Sequence, residues 1–290
     1  MAYGASAGPD AGSVDPEPAT GPVPVLAVDP PPRSVGRWWR LPSRVATLCL
    51  LELERIRREP YELLTRLIQP ALWLLIFGTT LSALRAIPTG DVPYLDYLAP
   101  GIMAQSALFI AIFFGVQVIG ERDAGVLAKL MVTPTPRAAL VTGKAFAAGL
   151  RAMVQGGVVL VLGLILGATI TGNPLRILAA FGVLVLGAAF FACLSVVLAG
   201  LVLRRDRLMG IGQAIIMPLF FASNALYPVE VIPAWLRWLA HLNPLTYQVD
   251  ALRGLLLGTS ANLLLDVAVL LALAVLGISA ASLLLGRLAR

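Results

Sequence analysis

Few residues in this sequence carry the chemistry of a catalyst, and their spacing gives them little to work with. There is one histidine, His241, so neither a two-histidine metal motif nor a triad built around histidine in the usual way can be assembled. The two cysteines, Cys49 and Cys193, have no metal-ligand spacing and make no disulfide framework. Gly143-Lys144 is the only Gly-Lys pair. Ala145 follows it, and Ala138 stands where a phosphate-cradling loop needs glycine. Apart from Glu62 at the edge of the first, Asp266 is the one carboxylate in an expected membrane span. Carriers driven by protons or sodium place ionisable groups at mid-membrane, so this pattern argues against an ion-gradient motor. Energy for any uphill transport would have to come from another polypeptide.

One polar segment stands out against this background. Residues 121–137 read ERDAGVLAKLMVTPTPR, directly after the uncharged stretch Tyr97–Gly120. Glu121, Arg122 and Asp123 make a solvated start. Val126, Leu127, Leu130 and Met131 cluster at helical spacing with Lys129 on the flank, and Pro134 and Pro136 end the run. A helix of about eleven residues is marginal alone in water, so it needs a surface, either headgroups or a partner's groove. An ordinary charged loop fits the spacing equally well.

The elements that must position this segment follow from composition. The chain has 290 residues, 58% hydrophobic and only 13% charged, with a mean hydropathy of +0.85. A soluble domain carries roughly a quarter charged residues, so this is a membrane protein. A helix crosses the hydrocarbon core with ~20 apolar residues. The apolar windows predict an all-α membrane protein of six spans, at about 62–84, 98–119, 146–170, 177–203, 208–228 and 263–286. No alternating pattern of barrel strands is present. Gly163 and Gly167 in the third span form a small-xxx-small pair suited to close helix packing.

Eighteen of the 22 Lys and Arg residues fall on one side of this arrangement, leaving Arg85, Arg176, Arg237 and Arg253 on the other. That bias orients the bundle with both termini cytoplasmic. The net charge of +6 is then mostly a topology signal beside anionic lipid, and nucleic-acid binding is the weaker reading. The preponderance of arginine over lysine points to a GC-rich bacterial genome.

Residues 1–36 hold eight prolines and are expected to be a disordered cytoplasmic tail, lacking the basic start and apolar core of a signal peptide. Residues 39–59 are expected to form an interfacial helix, with Glu54 and Arg58 at favourable i,i+4 spacing. Between spans five and six, residues 231–257 predict two short outer helices that dip into the outer leaflet and return. The first follows Pro233 and presents Trp235 and Trp238 at interface depth. The second is capped by Asn243, has Pro244 in its first turn, and carries the stripe Leu245, Val249, Leu252 and Leu256.

Two stretches resemble a known family. Residues 121–137 are similar to the cytoplasmic loop of ABC-2 type transporter permeases, in which Glu-Arg is followed by a glycine, leucines and a closing Thr-Pro…Arg. Residues 220–256, FFASNALYPVEVIPAWLRWLAHLNPLTYQVDALRGLL, resemble that family's fifth span and outer helices more specifically. Leu226-Tyr227-Pro228, Pro233-x-Trp235-Leu236, Asn243-Pro244-Leu245-Thr246-Tyr247 and Asp250-Ala251-Leu252-Arg253 are all in place. Daunorubicin-resistance permeases and the related lipo-oligosaccharide nodulation exporters are the members it most resembles, over about residues 40–290.

The resemblance implies one half of an exporter for drug, lipid or glycolipid in a bacterial cell membrane. A second permease copy or homologue would pair with it. No cofactor is expected on this chain; ATP and Mg would bind a separate ABC ATPase subunit. The coupling helix, 121–132, would dock on that subunit through Glu121, Arg122, Gly125, Leu127, Lys129 and Leu130. Arg204, Arg205 and Arg207 would make a second cytoplasmic contact or serve only as topology determinants. The connecting helix would carry Glu54, Arg55 and Arg58. Tyr227, Pro228, Glu230, Pro233, Trp235, Asn243, Pro244, Tyr247, Asp250 and Arg253 would form the outer gate motif, with Glu230 near the outer exit. A passive channel or scramblase, or an anchor subunit that transports nothing, are the rival readings.

Overall fold

Two prolines shape the first long helix. In the computed structural model, α1 spans Pro60–Leu72, and Pro60 occupies the first turn, where its missing N–H costs nothing. Pro70 lies inside the helix and offers no donor to the Arg66 carbonyl four residues back. The Gln155 side-chain amide donates to that carbonyl instead, at 3.3 Å. Beyond Pro70 the helix widens into a π-helical stretch, Trp73–Gly78 (π1), and closes as α2, Thr79–Leu84. The structure describes residues 50, 53–54, 56–58, 60–84, 87–90, 92–127 and 137–288, all within one unit, Gly36–Arg290.

Seven further α-helices follow among the described residues. They are α3 (Tyr94–Asp123), α4 (Arg137–Ile165), α5 (Pro174–Val202), α6 (Arg205–Phe221), α7 (Ala234–Leu242), α8 (Pro244–Leu257) and α9 (Leu263–Leu288). No strand occurs among the described residues. Asn173 caps α5 and Asn243 caps α8, each accepting from the N–H two residues on at 3.0 Å, with proline between. This is the geometry Asn-Pro predicts. Leu203, in the left-handed region at φ 56°, ends α5. Only Leu203 and Arg204 link it to α6.

The core is built around α3. It packs against α4, α5, α6 and α8, and α5 in turn carries α9. Two glycines of α3 allow close approaches to neighbouring backbone. A Cβ on Gly101 would lie 2.2 Å from the Ala225 carbonyl oxygen, and one on Gly115 would lie 2.4 Å from Ser195 Oγ. Ser195 crosses that gap, accepting from Gly115 N–H at 2.9 Å and donating to the Ile112 carbonyl.

Several boundaries differ from the sequence expectation. Among the described residues five helices are long and apolar enough to cross a membrane: Thr65–Leu84, Tyr94–Asp123, Ala138–Ile165, Pro174–Val202 and Leu263–Leu285. The expected fifth span, 208–228, is instead the 17-residue α6, ending at Phe221. At 1.5 Å per residue α6 reaches about 26 Å, short of a ~30 Å hydrocarbon core. The helix of the expected third span begins at Arg137 rather than 146, so Lys144 rides on it. Charge marks what a residue touches, whereas a helix ends where backbone bonding stops. Gly167, expected on a packing face, lies past the end of α4 at φ +97°. It is Gly156 that packs tightly, against Leu184 of α5. Residues 1–49, Arg55, and 128–136 with Lys129 and Leu130, lie outside the described residues.

Candidate functional site

At the inner end, α3 runs on through Glu121, Arg122 and Asp123, where the sequence suggested that a separate helix begins. Gly125 then takes φ +71°, so it terminates α3 rather than sitting inside a docking helix. The left-handed turn is open to glycine at no steric cost. Glu121 is not free to meet a partner, because its carboxylate pairs with Lys144 of α4. The Lys144 ammonium also lies 5.9 Å from the centre of the Phe114 ring. Leu127 points inward and is fully buried, in a small apolar pocket with Val118, Leu140, Val141, Val196 and Leu285. Val126 is the exposed apolar residue of this turn. Arg122 stays at the surface beside Asp123. Arg204, Arg205 and Arg207 are exposed at the start of α6. Glu54 and Arg58 form the expected i,i+4 ion pair.

At the outer end, residues 222–228 are irregular, and Ser223, Asn224, Ala225 and Leu226 within them are buried. Backbone at membrane depth is tolerated without a helix only where protein covers it and supplies partners. Here several of the freed carbonyls have side-chain partners. Arg253 donates to the carbonyls of Asn224 at 2.7 Å, Ala225 at 3.2 Å and Tyr97 at 3.2 Å. The Tyr94 hydroxyl donates to the Leu226 carbonyl and the Tyr97 hydroxyl to the Asn224 carbonyl, both at 3.1 Å. Asn243 reaches the Leu219 carbonyl at 2.6 Å and Tyr227 the Phe221 carbonyl. The Arg253 guanidinium also lies 3.4 Å from the centre of the Tyr97 ring, a cation–π contact in a water-poor place.

The outer motif is therefore a brace. Asn224 donates to Asp250 and keeps one side-chain oxygen without a partner. Burial pushes the Asp250 carboxyl above the usual carboxylate range, opposed by Arg253 and by the Asn224 hydrogen bond. Tyr247 ties α8 to α7 through the His241 carbonyl at 2.7 Å. Glu230 is exposed, and its carbonyl accepts from Arg237 at 2.9 Å. Pro228 precedes the short 3₁₀ turn Val229–Val231, and Pro233 precedes α7. Trp235 and Trp238 are 68% and 65% exposed, an aromatic face suited to the lipid interface.

Between these ends lies a polar cavity that charge counting in the sequence overlooked. Its larger lobe, about 360 Å³, is lined by Gln69, Gln105, Gln155 and Gln213 with Phe109 and Phe113 among its apolar walls. An adjoining lobe of about 220 Å³ shares Arg66, Ile110 and Phe113 with the first and adds Gln117, Arg151 and Arg205. Gln105 and Gln155 are both 2% exposed, and their side-chain oxygens have no hydrogen-bond partner. Arg151 is 7% exposed in the middle of α4. The spacing of Arg151 and Gln155 places them on one face of a helix, a signal present in the sequence. Among the described residues no three His, Cys, Asp or Glu side chains converge as a metal set would.

Long apolar helices of membrane-crossing length define a multi-pass membrane protein. Comparison with known families matches residues 44–257 to the ABC-2 type transporter family, and the chain belongs to that family. It is 29% identical over 205 residues to the putative transport permease ycf38 of Cyanophora paradoxa, covering 69% of this chain and 70% of the relative. It is 25% identical over 201 residues to the daunorubicin resistance ABC transporter permease protein DrrB1 of Streptomyces coeruleorubidus, covering 69% and 70%. Nodulation protein J of Rhizobium leguminosarum bv. viciae is 28% identical over 211 residues, covering 72% and 80%.

Proposed function

We propose that this chain is the membrane subunit of an ATP-driven exporter in a bacterial cell membrane, moving amphipathic cargo such as a drug, lipid or glycolipid outward. The observation that carries this reading is the family match across residues 44–257, on a bundle whose described residues hold no assembled motor. A separate ABC ATPase, with its ATP and Mg, would drive it, and a second copy or homologue of the permease would complete the pathway. In this reading α6 is the sixth crossing helix, helped across by the braced segment 222–228. Helices α7 and α8 are then re-entrant from the outside, and both termini are cytoplasmic.

The mechanism is mechanical. Nucleotide-driven closure of the ATPase pushes on the loop that starts after Gly125 and, secondarily, on the arginines at the start of α6. The Glu121–Lys144 pair ties α3 to α4, so a push on the loop moves both helices together. Two packings of the bundle are biased by nucleotide state. The test is co-expression with a candidate ATPase, followed by reconstitution. A stoichiometric complex whose ATP hydrolysis rises when the permease is present is expected. Gly125→Pro, which cannot take a positive φ, is expected to insert normally and to lose that stimulation. Cargo movement by the chain alone, with no second polypeptide, would establish a passive channel or scramblase instead. A complex with no transport at all would leave only an anchor.

A further inference from the structure

Two of the helices that border the cavity, α1 and α6, are joined in an unusual way. The backbones of α1 and π1 pack on α3, and α1 packs on α4 as well, but neither packs closely on α6. Toward their starts the cavity lies between them, lined by Thr65, Gln69 and Pro70 of α1 and by Gln213 of α6. Further along, the gap is bridged by rings. Trp73 stacks on Phe77 with centroids 4.4 Å apart, and meets Phe220 edge-on at 5.5 Å and Phe221 at 6.3 Å. Phe220 and Phe221 pack edge to face at 5.4 Å. Trp73 follows Pro70 by three residues and Phe220 follows Gln213 by seven, so both rings share a helix face with the cavity lining. On α6 they stand about 10 Å beyond it, on the side of the brace.

The two halves of this ring cluster are held differently. On α6 the backbone is fixed: the carbonyls of Leu219, Phe220 and Phe221 accept from Asn243 at 2.6 Å, from the Ser223 hydroxyl at 2.7 Å and from the Tyr227 hydroxyl. Phe220 itself is 1% exposed. On the other side Trp73 opens the π-helical stretch, just after Pro70 has removed a backbone bond. Proline and π-helical turns are where helices bend. Leu74 is buried, and Gly78 brings π1 so near α3 that a Cβ there would lie 2.7 Å from Leu95 Cδ1. The bend left open is therefore sideways, across α3 and away from α6. Only ring contacts oppose it, and these have neither covalent nor ionic ties to break.

We infer that Trp73 is the moving part of an aromatic latch, seated on Phe220 and Phe221, that closes a side portal from the cavity to the membrane. When Trp73 leaves those rings, the segment beyond Pro70 swings away from α6, and the cavity opens to lipid on the side of the brace. This rests on the exporter reading above for what would pass and in which direction. An amphipathic cargo would then leave between π1 and α6 into the outer leaflet, with no need of a water-filled channel through the brace.

Electron spin distances in the full-length chain supply the test, in phosphatidylcholine nanodiscs without ATPase or nucleotide. Cys49 is replaced by serine; Cys193 is 1% exposed and escapes labelling. Nitroxides go on exposed positions either side of Pro70, Thr80→Cys with Met217→Cys as the upper pair and Tyr61→Cys with Ile211→Cys as the lower. Labelled chain is diluted into an excess of unlabelled chain, so that only distances within one chain are read. Trp73→Ala is expected to raise the ratio of long to short upper-pair distances at least about tenfold, leaving the lower pair unchanged. Trp73→Phe, which keeps a ring, should recover most of the closed form. Phe221→Ala, which takes a partly exposed ring from the fixed side, is read in parallel and should shift the upper pair the same way. Leu75→Ala, exposed and outside the cluster, is the control. Upper-pair distances unchanged in both Trp73→Ala and Phe221→Ala overturn the latch. So does an equal shift in Leu75→Ala, which would mean general loosening, or an equal shift of the lower pair, which would mean that α1 detaches without bending at Pro70. Because no ATPase is present, a working latch in a chain that stimulates none would sink the exporter reading and spare this one.

Discussion

The outer brace and the inner cavity bury similar chemistry in opposite ways. At the outer end Arg253 is buried with three carbonyls and an aromatic ring around it. In the cavity Gln105 and Gln155 are equally buried, and their oxygens have nothing. The first arrangement holds irregular backbone at membrane depth. The second satisfies the Arg66 carbonyl through the Gln155 amide and leaves two side-chain oxygens unpartnered. Burial of a polar group therefore does not by itself report function; the partner account does. The enclosing helices differ in the same sense. The membrane-length window of α3 is 83% buried, against 17% for Thr65–Leu84 and 22% for Leu263–Leu285, so α3 is the central axis and α1 a peripheral wall.

Substitutions sharpen that contrast, and the largest effect belongs to the brace. Arg253→Ala strips donors from three buried carbonyls and leaves Asp250 without its nearby cation, an expected loss of about 3–5 kcal/mol. Arg253→Lys restores only part of it, since a point ammonium cannot serve the same carbonyls and ring together. Unfolding in detergent at graded denaturant measures this, and a stable Arg253→Ala protein would mean the brace is ornamental.

Gly101→Val comes next. Its side chain meets the Ala225 carbonyl oxygen, and overpacking is expected to cost about 1–3 kcal/mol. Substitution at Gly120, with open space around it, is the matched control and should be nearly silent. At the inner end, Gly125→Ala forces an alanine into a left-handed turn at a cost of about 1–2 kcal/mol. Loss of ATPase stimulation should exceed what that destabilisation explains, and a variant coupled like the wild type would remove the turn from the mechanism. Glu121→Gln breaks the tie to Lys144 and is expected to cost about 1 kcal/mol or less, the pair being partly exposed. A larger loss would make this pair a second brace. Gln105→Leu has the smallest effect on stability and the opposite sign, neutral or slightly stabilising. If it destabilises as Arg253→Ala does, the contrast between the two regions fails.

Much of the fold was legible because it is written locally. Asn173-Pro174 and Asn243-Pro244 specify helix starts within three residues. The stripe Leu245, Val249, Leu252 and Leu256 is buried as its spacing predicts. Long apolar windows locate five helices of membrane-crossing length. Helix ends were less legible. α6 stops at Phe221 although apolar residues continue, because Arg253, Tyr94 and Tyr97 offer the chain an alternative set of hydrogen bonds. The expected docking residues fared unevenly for a similar reason. Glu121 has its lysine 23 positions away, and Leu127 faces a pocket made by four helices.

By itself the sequence determined the class of solvent this protein lives in, the number of long apolar helices to within one, and the outer motif that marks its family. Those properties depend on composition and on periods of a few residues, which survive without knowing who packs against whom. Only the tertiary structure decided that Arg253 is a brace, that Gly101 must accept a carbonyl at its back, and that Arg66, Gln105, Arg151 and Arg205 line one cavity. These last come from four separate helices, and helical periodicity states which face a residue shares with its neighbours but not which other helix that face will meet.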